Sequence, residues 1–368
     1  MRTESRLNAP DSEALVTLSP NAGADLDHRL VVAKHRLGTA SDTAPLFSDA
    51  AIAGILDDYP SEWLFALTMG SDPERPEDID RVQHANATGA ELLEAVRRGR
   101  LWLNITNIDR VDTRLRTLTD RLYAEVAAVV PGFTVDESHA TLLVSSPGAM
   151  VYFHVDGPPS ILWHVRGRKR VWVYPHLNER VLSRELLEDV YAGTRQEYVP
   201  YSQSFDDMAE VCDLEPGDVA MWPHNAPHRV ANLDTLNVSL VTDHWTPDAR
   251  RRARVYKANR FLRVRTPIPH GRLGTSETGP MAITKVALHQ VGRRLRLDEP
   301  MNKAISSDMR FNRARSDFGT PSIAMMTRQG SGPANSATKS NSLLSPISSS
   351  SHAVIVFTCG RIACMDLL

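Results

Sequence analysis

The chain changes its hydrophobic period near Ala140, and this change constrains its fold more than any other feature. From there on, short β-rich segments separated by Pro and Gly follow one another: ATLLVSS, MVYFHVD, SILWHVR, KRVWVYP, DVAMWP and NVSLVTDHW. Short strands with turn residues between them are typical of an all-β core. We therefore predict a mainly β fold with flanking helices, whose core over residues 140–247 is a jelly roll, or double-stranded β-helix.

Helices are predicted in front of this core. One is expected over residues 48–63, capped by its first serine, another over residues 89–98, and a third after Asp112. The third carries an apolar stripe formed by Leu115, Leu118, Leu122, Val126 and Val129. Residues 41–139 should thus form a helical layer, preceded by a flexible arm over residues 1–40.

Helical and polar segments also interrupt and follow the strands. An insert over residues 178–213 contains RELLEDVYAG, which predicts a helix. After Trp245, DARRRARVYKANRFLRVR predicts a basic helical extension over residues 248–328. Its arginines favour a solvated helix packed on the domain, and binding of an acidic partner is the alternative. Residues 329–368 begin with a polar low-complexity run, which predicts a disordered tail.

The overall charge excludes some classes of partner. The chain has 42 basic and 44 acidic residues and a formal net charge of -2, so no long-range field attracts nucleic acid or a membrane surface. The N-terminal stretch lacks the apolar core of a signal peptide, and no apolar run reaches the length of a membrane span. We therefore expect a cytoplasmic protein. Its three cysteines are too few for a disulfide framework and are expected to be free thiols.

Candidate metal ligands lie on two of the predicted strands. In MVYFHVD, His154 and Asp156 are two residues apart and should share one strand face with Met150 and Tyr152. A third ligand, His228, follows in LEPGDVAMWPHNAPHRV. Two histidines and one carboxylate on a jelly roll form a facial triad, which leaves positions on iron(II) for a co-substrate and oxygen. An isolated H-x-D is a weak signal, and His224 in the same loop is the alternative third ligand.

Lys169 offers an independent clue to a co-substrate. In KRVWVYP it is in phase with Val171 and Val173, whereas Trp172 and Tyr174 occupy the opposite face. If the lysine face is inward, its ammonium needs an anion, because an unpaired buried charge costs several kilocalories per mole. The distal carboxylate of 2-oxoglutarate would satisfy it. The alternative is that Trp172 and Tyr174 are buried and Lys169 is in solvent.

Together, these motifs resemble the jumonji-C and cupin-like branch of 2-oxoglutarate oxygenases, which includes an asparaginyl hydroxylase. The resemblance covers residues 140–245. In that family an H-x-D provides two ligands, matched by His154 and Asp156, and a histidine after G-D-x-x-x-x-P provides the third, matched by His228. The lysine of a G-x-K turn binds the co-substrate carboxylate, which makes Lys169 its counterpart. The resemblance implies Fe(II), 2-oxoglutarate and O2 as cofactor and co-substrates.

The resemblance also has gaps. The family places a co-substrate-binding threonine three residues before the first ligand, where this chain has Val151. Another residue must then share the carboxylate, and a tyrosine or an asparagine of LWLNITN is the candidate. Asp243 falls near a polar position of the family from which a side chain orients water or a ligand histidine.

The expected activity is hydroxylation of a C–H bond in a peptide or protein side chain, or in an amino-acid-like small molecule. The C-terminal helices also offer a surface through which a homodimer could form. Two other functions remain open from the residues alone. One is a metal-dependent cupin isomerase or lyase that uses no 2-oxoglutarate, and the other is a non-catalytic regulatory cupin.

Overall fold

The computed structural model of the chain describes residues 13–297 apart from residues 20, 85–86, 196 and 269. Predictions for the first twelve residues, and for the tail with Cys359 and Cys364, lie outside the described residues. The strands are β1 (Val16–Thr17), β2 (Val31–His35), β3 (Leu64–Thr68), β4 (Asp80–Arg81), β5 (Leu101–Ile105), β6 (Glu137–Ser145), β7 (Met150–His154), β8 (Ser160–Arg166), β9 (Lys169–Val173), β10 (Glu210–Leu214), β11 (Asp218–Met221), β12 (His228–Asn232) and β13 (Asn237–Trp245). The α-helices are α1 (Ala22–Asp25), α2 (Asp49–Asp57), α3 (Gly89–Arg98), α4 (Ile108–Val111), α5 (Thr113–Val129), α6 (Arg184–Tyr191), α7 (Pro247–Arg265) and α8 (Gly279–Arg294).

The predicted jelly-roll core is confirmed by the strand order. A small antiparallel sheet has the order β10-β9-β12-β7, and the larger sheet contains the run β11-β8-β13-β6. Strands β6 to β13 therefore cross repeatedly between two facing sheets, which is the connectivity of an eight-stranded jelly roll. Strand β8 shows why its segment is apolar throughout. Trp163 packs on the outer face of the large sheet, in the core formed with the helices. Leu162 packs on the inner face, between the two sheets, against Val171 and Val173 of β9.

Helices α2, α3 and α5 cover the outer face of the large sheet. Helix α3 has the predicted bounds and begins with a capping box formed by Thr88 and Glu91. Helix α5 begins after Asp112, as predicted, and buries Leu115, Leu118, Leu122 and Val126. Helix α2 is shorter than predicted and ends at Asp57. Pro60 disfavours a helical conformation for the residue before it, which explains the early end.

The N-terminal region differs from the predicted arm and helical layer. Strand β2 pairs with β11 at the edge of the large sheet, and β1 pairs with β2. Beyond β6, strands β5, β3 and β4 extend the same sheet. Local patterning did not indicate β2, because VVAKH carries few residues and its partner strand lies far along the chain. The large sheet is therefore wider than a jelly roll requires.

The insert and the C-terminal helices pack on the same domain. Strand β10 lies at the end of the predicted insert and completes the small sheet beside β9. Helix α7 packs between α6 and α8, and several of its arginines form ion pairs within the chain. The pairs are Arg250–Glu137 at 2.8 Å, Arg252–Glu277 at 2.5 Å and Arg263–Asp189 at 2.7 Å. These contacts favour the packed helix, and the predicted homodimer is not supported. None of the helices in the described ranges is long and apolar enough to cross a membrane.

Candidate metal centre

A β-bulge turns the first candidate ligand into the space between the sheets. His154 of β7 lies opposite His228 of β12, but the next pair is Val151 with Val230. Strand β7 thus has one residue more than β12 over this stretch, which is the definition of a bulge. As a result Val151 shares the inner face with His154. The predicted alternation is wrong here, because Tyr152 packs away from the ligands in a cluster with Leu67 and Ile79.

The structure brings the three predicted ligands together. Their potential ligand atoms all lie within 4.8 Å of one another. Nε2 of His154 is 3.7 Å from one carboxylate oxygen of Asp156, and Nε2 of His228 is 3.4 Å from the other. The two imidazole rings are 4.1 Å apart between centroids. This arrangement can hold one metal ion.

Backbone carbonyls orient both imidazoles for this role. Nδ1 of His154 lies 2.7 Å from the carbonyl of Tyr152, and Nδ1 of His228 lies 3.1 Å from the carbonyl of Ala226. A carbonyl can only accept, so each Nδ1 carries a proton, and Nε2 is the atom of each ring that is left to bind a metal beside Asp156. Burial, and then the neighbouring His154, lower the pKa of His228 to about 4. Its imidazole is therefore neutral near pH 7.

His224, the alternative third ligand, lies outside the cluster. Its Nδ1 accepts a hydrogen bond from Arg252 at 3.3 Å, since a guanidinium can only donate. Its Nε2 consequently carries the proton and donates to the carbonyl of Gly157 at 2.8 Å. Both ring nitrogens are thus occupied.

Lys169 lies on the inward face of β9. This residue is 3% exposed, and Val171 and Val173 on the same face are also buried. Burial lowers the pKa of Lys169 to about 7, and no carboxylate within the described ranges forms an ion pair with it. The opposite face is covered too, because the insert packs on Trp172 and Tyr174. This explains why strand phase alone left the orientation open.

The three candidate ligands line a cavity of about 80 Å³. Its walls are mostly apolar and are formed by Trp102, Leu143, Val151, Leu162, Trp222, Val230 and Val241. Lys169 is not among the residues that line this cavity. It approaches His164, whose pKa falls to about 3 because of burial and the lysine charge. His164 is held by Ser239 and the carbonyl of Gly167, consistent with a structural role.

Two of the sequence candidates line the cavity or contact its wall. Asn104 of LWLNITN lines it and is 2% exposed, and its Oδ1 has no hydrogen-bond partner within the described part of the chain. Asp243 accepts a hydrogen bond at 2.6 Å from Ser160, which lines the cavity. Asp243 therefore orients a wall residue.

Sequence reasoning missed two cavity residues from the insert. Glu197 and Tyr198 lie beside the ligands, where the carbonyl of Glu197 accepts a hydrogen bond from the amide of Val155 at 3.1 Å. Tyr198 forms an isolated β-bridge with His154. No motif surrounds them, so only the position of the insert between two core strands pointed to this place.

The fold and site were compared with known proteins. No protein-family model and no curated protein sequence matches the chain. Among solved structures, the chain is similar to YcfD of Escherichia coli, with 15% identity over 75% of this chain and 67% of that chain and a TM-score of 0.45. A second YcfD structure, described as a ribosomal oxygenase in complex with cobalt and 2-oxoglutarate, has 15% identity over 76% and 67% of the two chains and a TM-score of 0.43. The lyase DddQ of Ruegeria pomeroyi matches 31% of this chain and 41% of its own at 16% identity, with a TM-score of 0.20. At these values, the functional assignment depends on this chain's own side chains.

Proposed function

We propose that the chain is an iron(II)- and 2-oxoglutarate-dependent oxygenase. The observation that carries this proposal is the convergence of His154, Asp156 and His228 beside a cavity between the two sheets of a jelly roll. Two neutral imidazoles and one carboxylate are the donor set of non-haem iron(II) oxygenases that leave coordination positions open. Both Nε2 atoms and the carboxylate lie within reach of one ion, so these three residues would hold it.

The co-substrate proposal rests on Lys169. Along β9, Lys169 is four residues from Val173, which pairs with His228, and this is about 13 Å along a strand. A lysine side chain and a five-carbon dicarboxylate can together cover that distance. The buried ammonium needs an anion, and 2-oxoglutarate carries one at the end opposite to its metal-binding group. We infer that Asn104 provides a second contact, because its amide can donate to a carboxylate.

The protein's own residues position and enclose the reactants. When bound, iron(II) and 2-oxoglutarate supply oxygen activation, by which a substrate C–H bond becomes C–OH while 2-oxoglutarate yields succinate and CO2. Trp222 packs on His228 with 4.4 Å between ring centroids and restricts its rotation. The apolar walls exclude water from the reacting carbon. The substrate is a peptide or protein side chain, or an amino-acid-like small molecule.

Oxygen-dependent formation of succinate tests this proposal. The purified chain is supplied with iron(II), 2-oxoglutarate and candidate peptides, with and without oxygen, and Asp156→Ala serves as the control. Succinate should form only when iron and oxygen are both present. A protein that binds metal but neither binds nor consumes 2-oxoglutarate would instead be an isomerase or lyase. Partner binding that persists after metal removal would indicate a regulatory cupin.

A further inference from the structure

The backbone that carries Asp156 lies beyond the end of a strand. Strand β7 ends at His154, and the amide of Val155 still bonds to the carbonyl of Glu197. The next two carbonyls, of Asp156 and Gly157, accept hydrogen bonds from side chains of distant segments. A ligand carboxylate on such a segment needs support from outside the sheet, because no ladder fixes its direction.

Residues 224–226, which precede the third candidate ligand His228, provide this support. His224 donates to the carbonyl of Gly157 at 2.8 Å, and Nδ2 of Asn225 donates to the carbonyl of Asp156 at 3.3 Å. The next residue, Ala226, accepts the hydrogen bond from His228 at 3.1 Å. One short segment therefore contacts the backbone of one candidate ligand and the side chain of another.

Side chains of two helices, α6 and α7, hold this segment in its conformation. Asn225 has a left-handed backbone with φ of 66°, which is uncommon for a residue other than glycine, and it donates to the hydroxyl of Tyr191 in α6 at 2.8 Å. Arg252 of α7 donates to Nδ1 of His224 and also pairs with Glu277 at 2.5 Å. Arg252 thereby sets the His224 tautomer that can donate to Gly157.

We propose that Arg252 and His224 are positioning residues, which hold the Asp156 carboxylate in the direction that metal binding requires. The C-terminal helix α7 is then a functional part of the metal centre. This inference rests on the proposed function, since it concerns the same metal ligands. It assigns a role to the histidine that motif reading offers only as an alternative ligand.

Cobalt(II) binding tests the proposal, with visible absorption of the bound ion as the readout. Mutation of a residue that orients a metal ligand by hydrogen bonding typically lowers metal affinity by about 10–100-fold. We expect that loss for His224→Ala and for Arg252→Met, together with shifted cobalt bands. His224→Gln should recover most of the affinity, because an amide can accept from Arg252 and donate to Gly157. Arg251→Met is the matched control, since Arg251 pairs only with exposed Asp248 in the described structure.

Melting temperatures of the metal-free variants separate positioning from general stability. A positioning role predicts changed cobalt affinity and spectrum even for a variant that melts like the parent. Parent-like cobalt affinity and bands in both His224→Ala and Arg252→Met would overturn the inference, whatever their melting temperatures. A parent protein that binds no cobalt would overturn the proposed function itself.

Discussion

At one end of the space between the sheets, three side chains converge on a common point, whereas at the other end Lys169 has no charged partner among the residues that the structure describes. His154 and His228 direct their Nε2 atoms towards Asp156, so this end is arranged for a cation. The lysine end is arranged for an anion, because Lys169 is 3% exposed, burial lowers its pKa to about 7, and no carboxylate in the described part of the chain pairs with it.

The contrast between the ends restricts the ligand. A molecule that satisfies both ends must bind a metal at one terminus and present an anion at the other. A dicarboxylate that carries a keto group next to one of its two carboxylates, such as 2-oxoglutarate, meets both conditions. Because the two ends bind different groups of this ligand, a substitution at one end should leave binding at the other end intact.

The largest effect is expected at the metal end. Asp156→Ala or His228→Ala should leave the purified protein with little iron, because each removes one of three ligand atoms. His224→Ala should still take up iron at a saturating iron concentration, since both of its ring nitrogens are engaged elsewhere. Metal analysis of the three variants checks this. If His224→Ala alone emptied the site, His224 would replace His228 as the third ligand.

A smaller effect is expected at the lysine end. Lys169→Ala should raise the 2-oxoglutarate concentration needed for half-saturation by about one to two powers of ten, because a charge-assisted contact contributes roughly 1.5–3 kcal/mol. Iron should still bind. Arg168→Ala and Arg170→Ala are controls, since these exposed arginines pair with Glu215 and Asp213 on the outer face. Weaker binding in a control, with Lys169→Ala unaffected, would contradict the orientation of β9.

The same lysine should make co-substrate binding depend on pH. Its pKa in the ligand-free protein is about 7, below the ordinary 10.5, so the charged form that binds a carboxylate is lost as pH rises above 7. Affinity for 2-oxoglutarate should fall by at most about tenfold per pH unit in that range. Calorimetry in buffers of different ionisation enthalpy should show proton uptake above pH 7. Lys169→Ala should show neither effect.

Lys169 should also affect how the stability of the protein depends on pH, in the direction opposite to that of a cation with a charged partner. Because the folded pKa lies below the unfolded one, the unfolded chain binds more protons between pH 7 and about 10.5. This contribution therefore makes the ligand-free protein more stable as pH rises through that window. Denaturation at several pH values, compared between the parent and Lys169→Met, measures it. A slope that is equal in both proteins would show that Lys169 is charged and satisfied without ligand.

The smallest effect is expected from Asn104. Asn104 lines the cavity, its Nδ2 can donate one hydrogen bond to a carboxylate, and a single hydrogen bond typically contributes about 0.5–1.5 kcal/mol. Asn104→Ala should therefore weaken 2-oxoglutarate binding by roughly two- to tenfold. The affinity for iron should not change. If only the KM of the organic substrate rose, Asn104 would belong to the substrate subsite.

The sequence predicted the parts of the site that depend on local pattern. The strand period placed His154 and Lys169 on strands, and the Pro-Gly-Asp turn placed His228 after a short strand. Long-range pairing was not predictable in this way. The bulge that puts Val151 beside His154 arises from the register with β12, and no residue type marks it.

The insert shows the same limit of local reasoning. Its helix was evident from the spacing of apolar residues, and α6 lies where it was predicted. The contact of Glu197 and Tyr198 with β7 was not, because it depends on how the following chain returns to the small sheet. The residues that enclose the cavity are thus harder to predict than the residues that bind within it.

The most direct test of the account is an anaerobic titration of 2-oxoglutarate into the iron(II)-loaded protein, followed by visible absorption. If one molecule satisfies both ends, the weak charge-transfer band of a bidentate complex should appear at one equivalent. Asp156→Ala should abolish the band, and Lys169→Ala should shift its appearance to about ten- to a hundredfold higher concentration. A parent protein that binds iron and shows no band at any 2-oxoglutarate concentration would contradict the account.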